Sequence, residues 1–120
     1  MCRRRELFDE ELSDQFGLRI LSVHDPDDNY RIEHDLFKLK FWIGDESFII
    51  DHLSTANPRK GHGRKVVTAA KSVSDECGLL LKAENVLPEA ISFWRKMGLC
   101  QHIGRQYVYN PHTGLMRCYA

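Results

Sequence analysis

Between Phe37 and Ile43 the side chains alternate strictly, with Phe37, Leu39, Phe41 and Ile43 on one parity and Lys38, Lys40 and Trp42 on the other. Period two sends the two sets to opposite faces of an extended chain, so a strand with one buried face is expected. Extended structure should reach back to Tyr30, and Gly44-Asp45 should turn the chain into a second strand over Glu46–Leu53. Elsewhere the period lengthens. Phe8, Leu12 and Phe16 fall four apart, predicting a short amphipathic helix over Glu6–Phe16 closed by Gly17. Leu18–Val23 reads as a strand, and Asp25-Pro26-Asp27-Asp28-Asn29 as a turn.

Farther along, Val66, Val67, Ala70 and Val73 set a second helix that runs to about Cys77, with Gly78 ending it. Leu79–Glu84 is a short apolar run, expected as a strand buried on both faces. Pro88 suits the first turn of a third helix with Ala90, Ile91, Trp94 and Met97 on its apolar side, stopped by Gly98. Closing strands over Gln101–Tyr109 and Leu115–Tyr119 flank the turn Asn110-Pro111-His112-Thr113-Gly114. The order α-β-β-β-α-β-α-β-β predicts an α/β chain: one mixed sheet with helices packed on it.

The junction between the strand Glu46–Leu53 and the helix beyond it carries candidate chemistry. An apolar run ends in Asn57-Pro58-Arg59-Lys60, then Gly61-His62-Gly63, then a helix. A strand, a glycine turn and a helix N-terminus together form a cradle for phosphate. Glycine lets the backbone approach an anion, free N–H groups of the first turn donate, and the dipole adds positive charge. Arg59, Lys60, Arg64 and Lys65 surround it. The P-loop pattern is excluded, because Gly63 is followed by Arg64-Lys65-Val66, and the dinucleotide fingerprint fails at Val66, where its third glycine would stand.

At 120 residues the chain is expected to be one domain, 1–120, able to bury a core without disulfides or metal. Seventeen basic and seventeen acidic residues cancel, which argues against a general nucleic-acid coat. Cys2, Cys77, Cys100 and Cys118 form no Cys-x-x-Cys pair and no signal peptide is visible, so reduced thiols and a cytoplasmic location are expected. The apolar runs are too short to span a membrane. Six scattered histidines show no ligand spacing, and no metal is expected.

The segment 58–63, together with Asn85, Ala90, Phe93-Trp94 and Gly98-Leu99, resembles the GNAT N-acetyltransferase superfamily. In that family a Gln/Arg-x-x-Gly-x-Gly/Ala motif opens the helix, and an asparagine ending the next strand precedes an aromatic pair and Gly-Phe. Here the leading Gln/Arg is Pro58, with Arg59 one place late. The resemblance covers about Phe48 to Leu99. It implies a GNAT-like, mostly antiparallel sheet whose central strands splay, with flanking helices and a shortened N-terminal region holding one helix where the family has two.

The resemblance also implies a cosubstrate and a reaction. Acetyl-coenzyme A would lie in the splay on backbone groups of Leu53 and Ser54 and beside Asn85. Its pyrophosphate would sit on Arg59, Lys60, Gly61, His62, Gly63 and Arg64. Acetyl would pass directly to a primary amine whose proton goes to Asp51, His52 or Glu46. Strand alternation sets Glu46 and His52 on one face and Asp51 on the other. Trp94 occupies the place of the family's acidic tyrosine and would wall the cofactor, leaving Tyr107 or Tyr109 as replacement acids. The short N-terminus implies an open site, taking an amine on a protein or other macromolecule or completed by a second copy in a homodimer. Arg3-Arg4-Arg5 would add a contact to an acidic partner. The competing expectation is a binding protein that keeps the fold without the chemistry.

Overall fold

The computed structural model describes residues 4–24, 29–57 and 60–110. It has the expected mixed α/β architecture. Helix α1 (Arg4–Phe16) is followed by strands β1 (Val23–His24), β2 (Tyr30–Glu33), β3 (Phe37–Ile43) and β4 (Ser47–Thr55). Helix α2 (His62–Cys77), strand β5 (Leu80–Ala83), a 3₁₀ turn (Pro88–Ala90), helix α3 (Ile91–Lys96) and the hairpin β6 (Cys100–Ile103) and β7 (Gln106–Tyr109) complete it. The seven strands form one sheet in the order β1-β2-β3-β4-β5-β7-β6. Every adjacent pair is antiparallel except β4 and β5, which α2 joins as a crossover.

The alternation read in β3 is the alternation that folds. Phe37, Leu39 and Phe41 are buried and Lys38 and Trp42 are exposed. Phe8 from α1 meets the rings of Phe41 and Phe48 edge-on at 4.9 and 4.8 Å, and Phe16 stacks on Phe37 at 5.1 Å. Val66, Val67, Ala70 and Val73 of α2 are fully buried in the same core. Gly78 ends α2 in the left-handed region at φ 68°, with its N–H and that of Leu79 both returning to the Ser74 carbonyl.

Three expected elements fold differently. The long extended stretch from Tyr30 divides into β2 and β3, because His34 N–H donates to the Phe37 carbonyl at 2.9 Å and closes a turn. Leu18–Val23 is a strand only at its end. Residues 18–22 are instead tied to α1, where Ile20 N–H donates to Ser13 Oγ and Arg5 bonds Ser22. Gln101–Tyr109 is a hairpin rather than one strand, turning at Gly104 with φ 54°. The expected turn at 110–114 and strand Leu115–Tyr119 fall outside the described residues, apart from Asn110.

Two chemical expectations also change. Cys77 and Cys100, expected as reduced thiols, are disulfide-bonded. Of the basic run, Arg4 bonds the Gly44 carbonyl at 3.1 Å and Asp45 at 3.4 Å, and Arg5 is held by Ser22, so both serve the fold. Arg3 lies outside the described residues. Among those residues, no helix is long and apolar enough to cross a membrane, and no cluster of His, Cys, Asp or Glu is set to hold a metal ion.

Candidate functional site

The site is built where β4 breaks its pairing on both sides. Against β3, Phe41 pairs with Ile50 and Lys40 with His52, so Asp51 is the extra residue of a β-bulge. The bulge resets side-chain parity. Phe48 and Ile50 face the helices before it, whereas Leu53 and Thr55 do so after it, opposite Leu39 and Phe37. Strict alternation relating Glu46, Asp51 and His52 therefore does not hold.

Against β5, parallel pairing runs from Ser47–Leu80 to Ile50–Ala83, and Glu84 N–H closes it on the Ile50 carbonyl at 2.9 Å. β4 then continues to Thr55 without its neighbour. Ala56 N–H bonds the Leu36 carbonyl at 3.1 Å, which fixes the ladder's phase. In that phase His52 and Ser54 turn their main-chain groups toward β3, and Leu53 and Thr55 turn theirs to the edge β5 has left. Ser54 was expected at that edge. The one-residue bulge gives the place to Thr55.

Asn85 leads the other strand away. It is the one non-glycine residue with positive φ among those described, at 54°, a conformation its short polar side chain tolerates. Val86 N–H then donates to the Arg105 carbonyl at 3.0 Å, fastening the departing chain to the β6–β7 hairpin.

The parted strands open onto a cleft in two adjoining parts that share Leu53, Ala90 and Trp94. The smaller, about 120 Å³, is bounded by Asp51, His52 and Asn85. The larger, about 350 Å³, reaches Thr55, Gly61, Gly63, Arg64 and Phe93. Trp94, 6% exposed, stands in the wall of both and packs edge-on against Phe93 at 5.1 Å.

At the far end α2 begins without a side-chain cap or an acidic residue in its first turn. Lys65 N–H makes the first return bond, to the Gly61 carbonyl, so the amides of His62, Gly63 and Arg64 have no intrahelical acceptor. Gly61 holds φ at 76° with open space where a side chain would stand. A polar ligand group can therefore approach this end of the helix closely, and the dipole favours an anion.

The expected site residues separate accordingly. Asp51, His52, Leu53, Asn85, Trp94, Gly61, Gly63 and Arg64 line the cleft. The side chains of Asp51 and His52 are exposed and, among the described residues, make no hydrogen bond or ion pair. Lys60 is exposed beside Gly61, and Arg59 lies outside the described residues. The His62 ring turns instead toward Phe16, 5.9 Å between centroids, so only its main chain serves the cradle. Lys65 likewise lies over Phe16, at 5.2 Å. Glu46 is in the β3–β4 turn, at the opposite end of β4. Neither tyrosine lines the cleft. Tyr107 is buried opposite Ala83, and Tyr109 donates its hydroxyl to Asp75 at 2.8 Å, which raises its pKa above the ordinary tyrosine value. Thr55 and Phe93 in the larger part, Ile50, Glu84, Val86 and Leu87 in the smaller, and Ala90 in both are lining residues outside the expected site set.

No protein-family model matches the chain, and no curated protein matches it. Among solved structures, the anti-CRISPR protein AcrVA5 is similar, with a TM-score of 0.57 and 19% identity over 68% of this chain and 98% of that one. At that identity the likeness speaks for the fold alone. Together with the parted β4–β5 pair over a glycine-led helix, it gives the fold class as a GNAT-like mixed, mostly antiparallel sheet with flanking helices.

Proposed function

We propose that the chain is an acetyl-coenzyme A-dependent N-acetyltransferase acting on a primary amine. The observation that carries this reading is the parting of β4 from β5 after Ile50 and Ala83, which leaves Leu53 and Thr55 with an open main-chain edge leading to the start of α2. An amide-rich pantetheine arm can add to that edge as a strand would. The amides of His62, Gly63 and Arg64, which have no intrahelical acceptor, together with the charges of Arg64 and Lys60, suit a pyrophosphate.

The cosubstrate supplies an acyl group activated as a thioester, with a thiol leaving group that needs no strong general acid near neutral pH. The chain supplies position and a proton acceptor. Asp51 on the bulge and His52 beside it stand at the mouth of the smaller part of the cleft, where either can take a proton from an incoming ammonium, directly or through water. Trp94 forms the wall between the two parts.

Both candidate bases are exposed, so among the described residues the acceptor side is open. An amine on a macromolecule fits that opening, or a second copy of the chain completes it. A second reading, a binding protein without chemistry, is favoured because Trp94 is buried in the core and, among the described residues, no tyrosine lines the cleft.

The test is acetyl transfer from labelled acetyl-coenzyme A to proteins, peptides and free amines, read by mass spectrometry. Transfer that falls by about a hundredfold or more when Asp51→Asn and His52→Asn are combined supports the enzyme. Coenzyme A binding without any transfer supports the second reading.

A further inference from the structure

The cleft does not end at its smaller part. A groove of about 240 Å³ adjoins it, walled by Glu84 and Asn85 from the end of β5 and by Ile103, Arg105 and Gln106 from the β6–β7 hairpin. Glu84 and Asn85 also line the smaller part, so they form the neck between the two. Among the described residues neither β4 nor α2 lines the groove, which sets it apart from the proposed coenzyme site.

The neck holds a charge in a fixed place. Glu84 is half-buried, and its N–H is fastened to the Ile50 carbonyl at 2.9 Å, where β4 and β5 part. Its Oε1 accepts from Gln106 Nε2 at 2.7 Å, beside the antiparallel pairing of β5 with β7. An ionised carboxylate has about four acceptor positions, so one amide bond orients it and leaves capacity for an ammonium. The side chains of Asp51 and His52 have no such brace among the described residues. Opposite charge stands on the hairpin. Arg105 is exposed, and its main chain is anchored by the Val86 N–H, which donates to its carbonyl at 3.0 Å. Ile103 beside it is 71% exposed and offers an apolar contact. A held carboxylate at the neck and a guanidinium on the hairpin fit a ligand that carries both signs of charge. A purely cationic polyamine would match the neck and be repelled by Arg105.

We propose that this groove takes the chain that carries the acceptor amine, with a lysine ammonium at Glu84 and a neighbouring acidic side chain on Arg105. The acceptor class is then a lysine with Asp or Glu beside it in a protein segment. Naming the ligand as the acceptor rests on the transferase reading, whereas the charge pattern of the groove does not.

The probes are capped pentapeptides Gly-X-Lys-X-Gly with X as glutamate, glutamine or lysine, titrated with and without saturating coenzyme A and followed by amide chemical shifts. Saturable one-to-one binding is expected, with shifts centred on Glu84, Ile103, Arg105 and Gln106. The glutamate peptide should bind about tenfold more tightly than the lysine peptide. Arg105→Glu, at an exposed position, should reverse that order, and Glu84→Gln should weaken all three peptides. Should the Glu84 change unfold the chain, the reversal in Arg105→Glu carries the test. Equal affinity for the three peptides, an unreversed order in Arg105→Glu, no binding by any peptide, or shifts centred elsewhere would overturn the proposal. Transfer from acetyl-coenzyme A to the same peptides keeps the two readings apart. Peptide binding in the expected order without any transfer supports the groove and counts against the transferase, whereas transfer to all three at equal rates overturns the groove alone.

Discussion

Phe93 lies so close to Gly63 that a Cβ there would stand 3.3 Å from Cζ of the ring and 3.6 Å from the Thr55 methyl carbon. The second glycine of the Gly61-His62-Gly63 turn thus admits an aromatic side chain, whereas the first admits whatever approaches from solvent. The two glycines should fail differently. Gly63→Val forces Phe93 off its seat and should cost about 1–3 kcal/mol by overpacking. Gly61→Ala meets no atoms and should cost about 1–2 kcal/mol from backbone strain alone. Denaturant melts with m-values compare them. Equal, negligible losses would mean that the start of α2 is not held as described.

Trp94 gives a second prediction. Trp94→Ala removes a buried ring from the core and should destabilise by about 3–5 kcal/mol. Trp94→Tyr keeps most of that packing and should preserve or raise any transferase rate. A stably folded, coenzyme-binding Trp94→Tyr protein with no activity would count against a packing role.

Asp9 makes a pH prediction. Burial, only partly offset by hydrogen bonds from the Ser22 hydroxyl and main chain and by the charge of Arg5, raises its pKa above the ordinary 3.8. The folded state therefore holds this proton more tightly than the unfolded state. The resulting stability is fully present below the unfolded value and is lost as pH rises through the raised folded value. Denaturation of wild type and Asp9→Asn across the mildly acidic range should show the wild type losing ground to the variant as pH increases. A constant difference would mean that Asp9 titrates normally.

Tyr109 titrates at the other end of the scale. Its hydroxyl bond to Asp75, followed by burial and the carboxylate charge, raises its pKa above 10.0. Asp75→Asn should return it toward the ordinary value, read by the tyrosinate absorbance. An unmoved titration would remove the bond from the account.

Much of the fold was legible because its signals are periodic. Phe37, Leu39 and Phe41 alternate into the core, Val66 to Val73 follow a helix face, and Gly78 and Gly98 end helices by taking positive φ. The glycine turn also reads correctly as a helix start. The bulge at Asp51 does not, since an inserted residue leaves no composition of its own while moving every later side chain to the other face. That one residue explains why Thr55 rather than Ser54 meets the open edge. The turn at His34 was hidden for a related reason: it has neither glycine nor proline. Asp9 was unreadable in a different way, because a carboxylate in an otherwise acidic helix looks solvated until Ser22 is seen to cover it.

On the proposed reading, the edge of β4 beyond Ile50 and the start of α2 form one binding site for coenzyme A. Amide chemical-shift mapping during a coenzyme A titration tests it most directly, with thermal stability followed on the same samples. One-to-one saturation is expected, with the largest shifts at Leu53, Thr55, Gly61 to Arg64 and Asn85. Stabilisation should be about 2.7 kcal/mol at a hundredfold excess over the dissociation constant. Shifts that avoid these residues, or an unchanged melting temperature at millimolar coenzyme A, would contradict it.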